Sequence, residues 1–294
     1  MKITNKFNLP EPIVNAIKRP TYSKGGANLS VTEMIGSPRI SQLRRLNADD
    51  LEMDASDGVW SLFGTAVHNV LEKGIADNHV KEERIHTELD GWTISGAIDL
   101  QIMHDDGIVI QDYKTVGAWA VMNEKIEWEQ QLNIYAWLVS RVKGQHVKAV
   151  EIVAIIRDWF WRDAQSKEDY PQSMIVTLPI KLWTYEEQER YVRERVHLHA
   201  EAYFAAESNS DLPLCSKDEM WEKPTTWAVI KVGGVRAKKV CYSKGDADLT
   251  LAESGKGYEI QHRPGERVRC GKYCQVKDFC SQWQEYNGGK DELS

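Results

Sequence analysis

The sequence predicts an α/β fold with a central mixed β-sheet flanked by helices, and three observations carry that prediction. Two strand-like runs, Trp92 to Met103 and Ile108 to Thr115, stand either side of the turn signal His104-Asp105-Asp106-Gly107. A β-branched run, Val147 to Ile156, has apolar side chains on both faces, as a doubly covered central strand does. Helical spacing marks Leu62 to Glu72, Glu129 to Leu138 and Trp183 to Glu207.

In the first strand of the pair, Ile94, Ile98, Leu100 and Ile102 fall on one alternating face. A tight turn makes its partner antiparallel, so Asp99 and Asp112 can converge on one point. Lys114 lies two residues beyond Asp112, hence on the same face of the strand. Two carboxylates suit a hard divalent cation. A lysine beside it can orient or deprotonate water, or offset phosphate charge. This is a donor set for phosphodiester hydrolysis.

Two helices flank that hairpin. In the upstream one Phe63, Val67, Val70 and Leu71 form an apolar stripe, with His68 at its edge. In the downstream one Gln131 and Tyr135 are i and i+4 and share a face. That helix is expected to end at Lys143-Gly144. Before the hairpin, Ser30 and Glu33 fit a capping box and Ile40 to Leu46 a helix. The acidic stretch Asn47 to Asp57 reads as a solvated connection. Beyond Ile156, Arg157-Asp158-Trp159-Phe160-Trp161-Arg162 interleaves aromatics with arginines. Such a segment either stacks bases of a single strand or packs on the sheet. Met174 to Ile180 is another strand, and Thr184 caps the long helix after it.

These elements divide the 294 residues into an N-terminal arm with helices (1–57), a core (58–207) and a cysteine-bearing C-terminal region (208–294). No apolar run reaches the roughly 18 residues of a membrane span, and no secretory leader is visible, so the expectation is a cytoplasmic protein. The net charge of −7 does not advertise a nucleic-acid binder. The basic residues are uneven, however. Lys231, Arg236, Lys238 and Lys239 cluster, as do Arg263, Arg267, Arg269, Lys272 and Lys277, either as phosphate contacts or as a solvated face. No phosphate-binding GxxxxGK[ST] loop is present, so any helicase motor is expected on another chain.

Of five cysteines, Cys270, Cys274 and Cys280 are spaced closely enough to share a metal centre, with Cys215 as the fourth thiolate. All-sulfur ligation fits a [4Fe–4S] cluster or Zn²⁺. Cys241 sits on a strand and reads as a buried apolar side chain.

Four motifs in order carry a family resemblance: Gly64-Thr65-Ala66-Val67-His68, Gly96-Ala97-Ile98-Asp99, Asp112-Tyr113-Lys114-Thr115 and Gln131-Leu132-Asn133-Ile134-Tyr135. The chain resembles the PD-(D/E)XK nuclease superfamily, and within it the RecB-type branch of CRISPR-adaptation exonucleases and their phage-encoded relatives. The resemblance implies a restriction-endonuclease-like core. It implies Mg²⁺ or Mn²⁺ held by His68, Asp99, Asp112 and the Tyr113 carbonyl, with Lys114 as catalytic lysine. Gln131 and Tyr135 would steer the DNA strand or the lysine. It also tilts the cysteine set towards a [4Fe–4S] cluster. One departure stands out, because Ser37-Pro38-Arg39 has serine where those relatives usually have the first cluster cysteine. The expected function is a metal-dependent DNA exonuclease acting on single strands or duplex ends, in recombination, repair or phage DNA processing, with a recombinase or helicase as partner. The alternatives are a non-catalytic nucleic-acid-binding module of the same fold and an iron–sulfur scaffold.

Overall fold

The β-branched Val147–Ile156 strand is internal to its sheet, parallel to Gly107–Val116 on one edge and antiparallel to Ile175–Ile180 on the other. Gly107–Val116 in turn runs antiparallel to Trp92–His104. The latter also carries His79–Leu89, antiparallel, and the short Leu29–Ser30, parallel. The result is a mixed sheet of six strands flanked by helices, as expected. The computed structural model describes residues 1–19, 23–74, 76–123 and 125–291. They divide into two units, Met1–Leu212 and Pro213–Ser294. No helix among the described residues is long and apolar enough to cross a membrane.

In the larger unit, Val150, Ile152, Ala154 and Ile156 bury one face of the central strand, while its other face is half-buried. The Ile126–Lys143 helix packs on that strand and against the Tyr185–Glu207 helix. Its run Gln131 to Val139 is buried without a break, which removes the usual amphipathic stripe. It stops at Gly144, whose φ of +63° is the left-handed conformation glycine adopts freely. Gly96 fixes how closely this helix approaches the sheet. A Cβ there would lie 2.7 Å from Leu138 Cδ1 and 2.9 Å from Tyr135 Cε1. The glycine of the Gly96–Asp99 motif therefore admits the helix that carries Gln131 and Tyr135.

Helix starts follow the chain's capping residues. Ser30 and Thr184 each form a full capping box, with Glu33 and Glu187 respectively. Ser37, the residue at the departure noted above, accepts from the Ile40 N–H and caps the Pro38–Leu46 helix.

Two expectations are corrected. The Asn47–Asp57 stretch is not simply solvated: Glu52–Asp54 pairs in parallel with Lys2–Thr4. Asp54 is buried and accepts from the Lys6 N–H (2.8 Å), the Ser56 N–H (3.0 Å) and Thr4 Oγ1 (2.9 Å). These bonds, the Lys6 N–H first, hold its carboxyl well below the usual carboxylate range. The Val59–Leu71 helix, for its part, buries none of its residues, and Phe63 and Val70 of the predicted apolar stripe are exposed.

The smaller unit has its own sheet, with Thr226–Lys231 between Ala237–Cys241 and Tyr258–Arg263. The Lys244–Ser254 helix covers it, giving a small core of Val229, Cys241 and Ala247. Cys241 is thus the buried strand residue predicted. Glu222–Lys223 pairs with Glu266–Arg267 beside the short Val268–Lys272 helix that holds Cys270.

Candidate active site

The ladder between Trp92–His104 and Gly107–Val116 stops at Leu100 and Gln111, one residue short of the two aspartates. Beyond that point the strands part, and a side chain replaces the missing backbone bond. Asp99 Oδ2 accepts the Tyr113 N–H at 2.8 Å. Asp99 and Asp112 are both buried at this fork.

The Val59–Leu71 helix brings His68 to the fork. Its Nε2 lies 3.0 Å from the Tyr113 carbonyl oxygen. With the proton on that nitrogen, the Nδ1 lone pair faces Asp99 Oδ1 at 3.5 Å and Glu82 Oε1 at 4.0 Å. One ligand atom each from His68, Glu82 and Asp99 falls within 4.8 Å of the others, the spacing of a shared cation. The Tyr113 carbonyl, already bonded to His68, has a second lone pair.

Glu82 was not singled out from the sequence. It stands opposite Asp99 in the His79–Leu89 strand, between the pairs Lys81–Leu100 and Glu83–Ile98. Its φ of +48° takes it out of the ladder. The run Lys81-Glu82-Glu83-Arg84 reads as a solvated edge, and nothing in it announces a left-handed residue.

Lys114 Nζ sits 2.5 Å from Asp112 Oδ2 and donates to Gln131 Oε1 at 3.0 Å. The Gln131 amide donates to Asp112 Oδ1 (3.1 Å) and to the Tyr135 hydroxyl (2.9 Å). Gln131 therefore holds the aspartate and the lysine in register. Both Gln131 and Tyr135 are buried, which fits a lysine-steering role better than contact with a strand of DNA.

The electrostatics point the same way. Asp99 and Asp112 share Lys114, while Glu82 feels His68 and Arg84. Burial, then the Asp112 charge, pushes the Asp99 carboxyl up to about 8. Burial also raises Glu82. The buried Asp112 Oδ2 has no aligned hydrogen bond despite the nearby ammonium. Three neighbouring carboxylates, two of them with a raised pKa, beside an imidazole fit a divalent cation with oxygen and nitrogen donors.

The thiols differ. Among the described residues none of the five cysteines forms a disulfide, and no three sulfurs come within 4.8 Å of one another. Burial and then the neighbouring Cys274 and Cys280 raise the Cys270 thiol, while Arg267 and Arg269 act in the opposite sense. Cys215 is fixed by its backbone, whose N–H donates to Gln282 Oε1 at 2.8 Å and whose carbonyl accepts from Gln282 Nε2 at 3.0 Å.

No curated protein matches the sequence significantly. Among solved structures, that of SSO0001 is 17% identical, with a TM-score of 0.45 over 68% of this chain and 94% of its own. A protein from Eubacterium rectale described as a candidate exonuclease is 12% identical, with a TM-score of 0.28 over 64% of this chain and 71% of its own. Residues 76–219, which contain Glu82, Asp99, Asp112, Lys114, Gln131 and Tyr135, match the PD-(D/E)XK nuclease superfamily. Two acids and a lysine converge at the strand fork inside that segment, so it is residues 76–219 that carry the likeness to the PD-(D/E)XK nuclease superfamily.

Proposed function

We propose that this protein is a metal-dependent deoxyribonuclease of the RecB-type branch, an exonuclease acting on DNA ends or single strands in recombination, repair or phage DNA processing. The observation that carries the reading is that His68, Glu82 and Asp99 offer ligand atoms within 4.8 Å of one another at the fork, beside the Asp112–Lys114 pair at 2.5 Å. His68, Asp99, Asp112 and the Tyr113 carbonyl would hold Mg²⁺ or Mn²⁺, and Glu82 joins them as a fourth side-chain donor. A bound divalent cation supplies Lewis-acid stabilisation of phosphoryl charge and acidifies water. The protein's part is positional. Gln131 aims Lys114, whose ammonium can orient the attacking water and meet charge developing on the phosphate. Asp112, held by Gln131, fixes one edge of the site. A helicase or recombinase on another chain would deliver the end.

Cys215, Cys270, Cys274 and Cys280 would hold a [4Fe–4S] cluster in the smaller unit. Tetrahedral Zn²⁺, with Zn–S near 2.3 Å, needs sulfurs about 3.8 Å apart. A cubane spreads its thiolates over four irons. Arg267 and Arg269, which act on the Cys270 thiol, would offset the cluster's charge.

The test is digestion of end-labelled single- and double-stranded DNA with and without Mn²⁺, comparing the parent with Asp112→Ala, alongside an iron and zinc assay. Metal-dependent loss of label by the parent and none by the variant is expected. Equal cleavage by both overturns the site assignment.

A further inference from the structure

The Val59–Leu71 helix carries Trp60, Gly64 and His68 at i, i+4 and i+8, hence along one face. His68 meets the Tyr113 carbonyl. A Cβ on Gly64 would lie 3.2 Å from Thr115 Oγ1. Arg157, whose N–H donates to the Val116 carbonyl at 2.9 Å, stacks its guanidinium on Trp60, 4.2 Å from the ring centroid. As helix numbering falls from 68 to 60, the residues met on the strand side advance from 113 to 116 and 157. The helix is therefore antiparallel to the Asp112 strand. Its start stands at the carboxyl end of two parallel strands, Gly107–Val116 and Val147–Ile156. Eight residues at 1.5 Å rise put Trp60 about 12 Å from His68 along the helix axis.

That same end of the sheet is crowded with exposed rings. Trp60 is 58% exposed, Trp119 62%, Phe160 55% and Trp161 59%. Trp119 follows Ala118, whose N–H donates to Asp158 Oδ1 at 2.7 Å, so the segments after the two strands are tied together. Lys125 Nζ lies 4.3 Å from the centroid of the Trp119 ring, as Arg157 covers Trp60. Trp159 departs from this pattern. It is half-buried against Tyr170, and its Nε1 donates to the Pro171 carbonyl at 2.8 Å. The structure thus divides the Arg157–Arg162 segment, with one ring in the core and two outside it.

Isolated exposed aromatics are ordinary. Four at one end of a sheet, two of them under cations, beside a proposed phosphodiester site, are not. Ring faces stack on any base, and paired cations meet the backbone charge between bases. A duplex hides its base faces in its own stack and offers these rings little.

We propose that Trp60, Trp119, Phe160 and Trp161, with Arg157 and Lys125, form a stacking platform for single-stranded nucleic acid whose end runs on into the carboxylate site. The platform makes single-stranded ends the preferred substrate class. This rests on the nuclease reading above, and its test separates the two.

Full-length parent, Trp60→Ala, Trp119→Ala and the double variant Phe160→Ala/Trp161→Ala are compared by three measurements. These are affinity for a fluorescent oligo-dT in Ca²⁺, affinity for a blunt duplex of the same length, and Mn²⁺-dependent hydrolysis of bis(p-nitrophenyl) phosphate. That small ester needs the carboxylate site but has no run of bases. Each variant is expected to lose about tenfold in oligo-dT affinity, the scale of one stacked base. Duplex affinity and turnover of the small ester should stay within twofold, and Trp60→Phe should restore binding. Unchanged oligo-dT affinity in every variant overturns the platform and leaves the rings to a protein partner. Equal losses on duplex and single strand overturn the preference. If the parent does not hydrolyse the small ester, the nuclease reading fails, while the oligo-dT affinities still decide the platform.

Discussion

The carboxylate fork and the thiol set are both candidate metal centres, yet they are built differently. At the fork all donors but Glu82 are anchored by regular structure, Asp99 and Asp112 on long strands and His68 on a helix, and Gln131 reaches them from the buried middle of another helix. A side chain holds a backbone N–H there, and a glutamine holds acid and lysine together. The thiols sit on a five-residue helix, beside a 3₁₀ turn and in extended chain, and no three draw together. The contrast separates two ways of making a metal site. One scaffold crowds its ligands before an ion arrives, at the cost of like-charge repulsion. At the other, the proposed cluster would have to gather its own ligands.

The most severe way to break this comparison is at the lysine. Lys114→Ala is expected to lower Mn²⁺-dependent DNA cleavage by about 10³-fold, with an unchanged unfolding temperature. Parent-level cleavage would mean that the fork is scaffold alone. At the other centre, Cys274→Ser should remove bound iron and lower the unfolding temperature of residues 213–294. Mn²⁺ affinity of the fork should then stay within twofold by calorimetry. If both iron and zinc are absent from the parent, the thiols are not a centre at all.

Smaller effects sharpen the contrast. Glu82→Gln should weaken Mn²⁺ binding by about 10- to 100-fold, and unchanged affinity would confine the cation to His68 and the aspartates. Gly96→Ala should cost roughly 1–3 kcal/mol in denaturant unfolding, because the new methyl meets Tyr135 and Leu138. Away from both centres, His199 is buried, with Arg195 on its own helix and Glu33 and the Met34 carbonyl facing it. Burial first, then Arg195, holds it down at about 4. The unfolded chain therefore binds the extra proton between about 6.5 and 4, so stability falls as pH drops through that window. His199→Gln should flatten that part of a melting-temperature profile.

Much of the site was legible because its residues lie on strongly periodic elements. Asp99, Asp112 and Lys114 follow from a two-residue period and one turn. Gln131 and Tyr135 follow from a helical one. Glu82 did not, since a charge run does not say which acid faces the site and its backbone angle has no signature in a glutamate. Asp54 misled for a similar reason: in an acidic stretch, only the strand Lys2–Thr4, some fifty residues away, reveals which acid turns inward. Phe63 and Val70 misled in the opposite sense. Their spacing fits a buried stripe, but the helix meets the sheet through Gly64 and His68 and leaves those two rings and methyls outside. Part of the second basic cluster is likewise spent locally, Arg267 on Tyr286 and Glu222, and Lys272 on Glu266.

The left-handed backbone at position 82 has a consequence for engineering. Glycine would adopt it freely, whereas a residue with a side chain gives up about 1–3 kcal/mol to do so. Glu82→Gly should therefore melt later and grip cations less. A laboratory selection for heat tolerance alone would drift towards that glycine, and one for turnover would drift back.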